Sequence, residues 1–102
     1  MKKKTKETRA IERLLRESFP GFPSDHPPEA YRYNSVSIRV RLIHDDFRDT
    51  TRSAREDRVL PVIHTLPDET QEDITILLLL APNELDRSPM NIEFEHPVPS
   101  RI

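Results

Sequence analysis

The sequence predicts an α+β domain, a two-layer sandwich of order αββααβ with a candidate extra strand at its C-terminal end. Three observations predict it. Ile11, Leu14, Leu15 and Phe19 recur at helical spacing. In SVSIRVRLIHDDF, residues 35–47, Val36, Ile38, Val40 and Leu42 alternate with Ser37, Arg39 and Arg41, the period of a strand with one buried and one wet face. ITILLLLA, residues 74–81, is apolar on both sides, as suits the middle of a sheet or a strand covered by another chain.

A first helix is expected over about 5–18, with Thr5 as its cap and Arg9, Glu12, Arg13, Arg16 and Glu17 on its polar side. Pro20 and Gly21 end it, because a proline biases Phe19 away from helical angles and Gly21 turns without steric cost. FPGFPSDHPP, 19–28, holds four of the ten prolines and reads as extended and turn-rich. AYRYN, 30–34, is a short strand with Tyr31 and Tyr33 on one side, pairing with the long strand through a turn near Asn34 and Ser35.

After Phe47, Ser53 and Glu56 have capping-box spacing, and Val59, Leu60, Ile63 and Leu66 form an apolar face. Proline inside a helix costs about 3 kcal/mol, so two short helices are expected, with Pro61 in the first turn of the second. An acidic turn at 67–73 leads into the leucine-rich strand. Ile92 and Phe94 alternate with Glu93 and Glu95, which suggests the extra strand over 91–95.

At 102 residues there is room for one domain, expected over 9–95 between a flexible basic segment, 1–8, and a flexible tail, 96–102. Apolar residues make up 34% and charged residues 33%, a thin supply for a core that is nevertheless gathered into periodic segments. Absence of cysteine excludes disulfides, thiolate metal sites and cysteine nucleophiles. Residues 1–43 hold 10 basic and 5 acidic side chains (+5) and 44–102 hold 6 and 13 (−7), which together give the net −2. The longest apolar run, 76–81, is too short to span a bilayer, so a cytoplasmic location is expected.

The helix IERLLRESFP, the strand IRVRLI with its turn and Phe47, the arginine-rich SAREDRVL and the strand ITILLLLAPNEL together resemble the BolA family, over about residues 11–85. The family's fold is close to the class II KH arrangement. The resemblance implies a small non-enzymatic adaptor or regulatory protein that acts by protein contact, with a monothiol glutaredoxin as partner and a shared two-iron two-sulfur cluster. Glu56 and Asp57 stand where the family's helix carries the cluster-ligating histidine, and Arg48 and Asp49 where it has a glycine. A carboxylate is a hard ligand ill suited to such a cluster, so no cofactor is expected of this chain. A KH clamp on nucleic acid needs a GXXG loop, and Gly21 is the only glycine.

Among candidate sites, Arg32, Arg39 and Arg41, joined by Arg52, Arg55 and Arg58, could form a basic face beside Tyr31 and Tyr33 that binds single-stranded nucleic acid, the alternative function. The plainer reading is a solvated sheet face paired with Glu93 and Glu95. His44, Asp45 and Asp46, on which Asp25 and His26 could converge, are weak metal candidates, since aspartates in a turn ordinarily bond to nearby backbone amides. His64 lies near a helix end, where a cation suits the dipole, and His96 in a loop. No nucleophile elbow, phosphate loop or isolated carboxylate pair supports catalysis. The two-sided leucine run suggests a homodimer through an apolar patch.

Overall fold

The computed structural model describes residues 2–101, so Met1 and Ile102, at the extremes of the two expected tails, lie outside them. Helix α1 (Lys6–Ser18) is followed by strands β1 (Glu29–Asn34) and β2 (Ser37–Ile43), helices α2 (Arg52–Ile63) and α3 (Asp68–Asp73), strand β3 (Ile74–Leu80) and helix α4 (Pro89–Glu95). Short 3-10 turns occupy Asp45–Phe47 and Pro82–Arg87. The sheet has the order β1-β2-β3. β1 and β2 are antiparallel, with Tyr31 opposite Arg39, and β2 and β3 are parallel, with Val40 opposite Leu77. A parallel neighbour needs a crossover, and α2 and α3 supply it.

The core forms where α1 and α2 cover one face of this sheet. Ile11 and Leu15 of α1, Ile38, Val40 and Leu42 of β2, and Val59 and Ile63 of α2 meet there, all buried. Thr5 caps α1 in a reciprocal box with Thr8: each threonine oxygen accepts the other's backbone N–H, at 2.8 and 3.3 Å. Gly21 leaves the helix at φ 90°, where any other residue would be strained.

The α+β sandwich is as expected, and several details differ. The leucine-rich strand is not central: β2 is, buried along its whole length, and β3 lies at the edge with Ile76, Leu77 and Leu78 half-buried. No wet sheet face runs along β2, because α4 covers Arg39 and Arg41, and Val36 falls in the exposed turn. Residues 91–95 are helical where an extra strand was expected. Ser88 caps that helix through the Asn91 N–H, Pro89 fits its first turn, and the buried residues are Asn91 and Phe94, three apart, while Ile92 is exposed.

Helix α2 begins one residue after Thr51, whose hydroxyl accepts from the Ala54 N–H, so Ser53 is not its cap. Pro61 lies in the last turn of this single helix. Its missing N–H orphans only the carbonyl of Asp57, an exposed residue, where water can substitute. The second helix of the pair is instead 67–73's acidic stretch, with Asp68 and Glu69 at the positive end of its dipole. The ends are also tied down. Lys3 pairs with Arg32, Tyr33 donates its hydroxyl hydrogen to the Val98 carbonyl, and Asn34 bonds to Ser100.

Candidate functional site

The six arginines of the expected basic face fall in three separate places. Alternation along β2 puts Arg39 and Arg41 on the side away from α1, and α4 lies across them. Arg39 donates to Glu93 at 2.9 Å and stacks 3.6 Å above the Tyr33 ring. Arg41 donates to Asn91 at 2.7 Å, Glu95 at 3.1 Å and Glu29 at 3.3 Å, and lies over Phe94. Tyr31 packs its ring on Phe94 and donates to that residue's carbonyl at 2.8 Å. Burial alone would lower the Arg39 pKa, but hydrogen bonds to Tyr31 and Glu93 outweigh it and the net is upward. Burial pushes Tyr31 up as well. The Nε atoms of both arginines are buried and have no hydrogen-bond partner among the described residues.

Arg32, one residue out of phase, points to the opposite face and pairs with Asp73 at 3.1 Å. Arg52 is exposed and pairs with Glu56, and Arg58 is half exposed beside Asp46. Arg55 is buried and joins four segments. Its fork meets both oxygens of Glu84 at 2.7 and 2.8 Å, and it also donates to the carbonyls of Leu79, Phe47 and Thr50 and to the Thr50 hydroxyl. The Arg55 guanidinium holds the Glu84 carboxyl down to about 2, aided by the Ala81 N–H, against the opposing effect of burial. Sequence reasoning missed Glu84. Its signal was half of a capping box, a glutamate three residues after Ala81 at the start of a proline-led turn.

His44 is buried and structural. Its Nδ1 accepts from the Asp46 N–H at 3.1 Å, so Nε2 carries the hydrogen and donates to the Pro20 carbonyl at 3.0 Å, tying the end of β2 to the exit of α1. Asp45 turns to Arg48 and Asp46 to Arg58. Asp25 pairs with His26 and joins none of them. Among the described residues no three His, Cys, Asp or Glu side chains are grouped to hold a metal ion. Nor does Glu56 fit an iron–sulfur cluster: it offers oxygen, and Arg52 already holds it at 3.2 Å. Asp49 adopts φ 56°, the left-handed region that favours glycine, at the turn that leads into α2.

The two edges of the sheet are treated differently. On β1 the outward backbone groups of Ala30 and Arg32 are taken: the Ala30 N–H by Glu12, the Ala30 carbonyl by Lys4, and both groups of Arg32 by Lys3. On β3, the Leu80 carbonyl turns inward to the His44 N–H, so Leu77 and Leu79 present their groups outward. Among the described residues only the Leu79 carbonyl of these has a partner, Arg55 at 2.9 Å. Among the described residues β3 pairs with β2 alone. Its free edge floors a groove of about 400 Å³, with Arg52 and Glu56 of α2 along one side and Met90 of α4 on the other.

No protein-family model matches the chain, and neither a curated protein nor a solved structure matches it. The groove therefore has to be read from its own chemistry. No helix among the described residues is long and apolar enough to cross a membrane. An open strand edge with apolar side chains on both faces can take up one more strand by backbone hydrogen bonding.

Proposed function

We propose that this protein is a small non-enzymatic adaptor of BolA-like fold that binds another polypeptide along the β3 edge. The observation that carries this reading is the contrast between a β1 edge whose Ala30 and Arg32 groups are bonded and a β3 edge on which, among the described residues, only the Leu79 carbonyl is held, beside a groove lined by residues 75–80 and Met90. Proteins ordinarily blunt a long apolar edge with charge, proline or a covering segment. This chain does so along β1, and on β3 only at Leu79, through Arg55. The element order, with a parallel third strand reached through two helices, supports the BolA-like reading. That reading makes a monothiol glutaredoxin the first foreign partner to try. The alternative, nucleic-acid binding, needs arginines free for phosphate, whereas Arg32, Arg39, Arg41 and Arg55 each hold a carboxylate.

Site-directed photo-crosslinking in cells tests the proposal. A photoreactive side chain at Thr75, exposed at the start of β3, is compared with one at Glu17, exposed on α1. Discrete protein adducts at 75 that are absent at 17 are expected. Identical patterns at the two positions would sink the reading.

A further inference from the structure

Resting on that reading, we infer that the occupant of the β3 edge is a second copy of this chain, with the two β3 strands antiparallel about a twofold axis beside Leu77, in one six-stranded sheet. Both outward groups of Leu77 are open to it, and at Leu79 the N–H is open while Arg55 holds the carbonyl. Leu77 of one copy would exchange two backbone hydrogen bonds with Leu77 of the other, and the Leu79 N–H would meet the segment around Thr75. A twofold contact is self-complementary by construction, and it closes after two subunits.

Three observations select a second copy. First, a head-to-tail arrangement, β3 of one copy on β1 of the next, is barred because Lys3, Lys4 and Glu12 already occupy the β1 edge. Symmetric pairing of β3 with itself is the sheet extension left to identical chains. Second, the rim is electrically neutral: Arg52 and Glu56 stand one turn apart on α2, so two copies can approach without net repulsion. Third, the apolar surface is continuous around the edge, from half-buried Ile76, Leu77 and Leu78 to Met90, which is 45% exposed. Matched apolar strips on both copies would be covered together, removing from water what each leaves exposed.

The test is sedimentation equilibrium of the full chain with amide hydrogen exchange. A mass of twice 12.0 kDa is expected in the micromolar range, with the Leu77 and Leu79 amides protected at high concentration and released on dilution. Thr75→Lys and Arg52→Glu alter exposed side chains, Arg52 being 86% exposed and Thr75 giving up its hydroxyl contact with Ser37, and thermal melts check that both variants stay folded. Each should weaken self-association by about tenfold or more, the first by placing a charge on the edge and the second by making the rim doubly negative. Arg52→Glu with Glu56→Arg restores a neutral rim and should recover most of the affinity. A wild-type monomer at about 100 µM overturns the inference. So does a dimer that Thr75→Lys leaves intact. A monomer that still gives adducts specific to Thr75 overturns self-pairing while the adaptor reading stands; loss of those adducts as well overturns both.

Discussion

Substitution of Glu84 by glutamine tests the charged contact at the hub where α2, the turn after β2, the end of β3 and the turn after it converge. Glutamine keeps the shape and one accepting oxygen for Arg55 and the Ala81 N–H, but its NH2 replaces the oxygen that accepts from the other arm of the fork, so the change removes the charge and one of the two Arg55 hydrogen bonds. The carboxyl is held at about 2 against an ordinary 4.5. At about 1.4 kcal/mol for each pH unit of that difference, the ceiling is about 3 kcal/mol. The carboxylate is 31% exposed, and solvent screening brings the expected value to about 2 kcal/mol. The sign follows from a folded-state value below the unfolded one: stability from this group is fully present above about pH 4.5 and is lost as pH falls through about 2. Urea unfolding at about pH 7, 4.5, 3 and 2 should show wild type more stable than Glu84→Gln by about 2 kcal/mol at the two higher values, with the gap closing at the lowest. Other carboxylates titrate in both proteins and cancel in the difference. A gap that stays constant from pH 7 to 2, or one below about 0.5 kcal/mol at pH 7, would refute the assignment of the ionic contact as a stabilising hub.

Three further outcomes follow from the same structure. Tyr31→Phe removes the hydroxyl that holds the buried Phe94 carbonyl and should cost about 1 to 2 kcal/mol in urea unfolding, with faster amide exchange across α4. His44→Phe keeps the ring but orphans the Pro20 carbonyl and the Asp46 N–H; a loss of about 2 to 3 kcal/mol is expected, against little change if the ring merely fills space. At the two left-handed positions opposite effects are expected. Gly21→Ala should cost about 1 to 2 kcal/mol although the nearest side-chain atom, on His44, leaves room at 3.8 Å, and Asp49→Gly should be stabilising by up to about 1 kcal/mol; thermal melts of both variants decide it.

Local pattern made much of this architecture legible. Ile11, Leu15 and Phe19 share a helix face, and Ile38, Val40 and Leu42 share a strand face, because each set repeats at the period of its own element. The α+β class, the end of α1 at Pro20 and Gly21, and the pairing of β1 with β2 followed from such short-range signals. Where two periods fit equally well, the reading failed. Ile92 and Phe94 fit a strand, yet Ser88 and Pro89 start a helix whose buried residues are Asn91 and Phe94. That helix then decided the fate of the arginines: Arg39 and Arg41 look like a wet face only until an acidic helix closes over them.

The sequence by itself determined α1, the three strands, the apolar faces of α1 and β2 and the lack of thiol chemistry, since these depend on side chains a few positions apart or on composition alone. Tertiary structure alone decided which strand is central, which of the six arginines are buried, and which edge of the sheet is open. Those outcomes rest on contacts between distant residues, such as Arg55 with Glu84, Arg41 with Glu95 and Lys3 with Arg32, and sequence spacing carries no record of them.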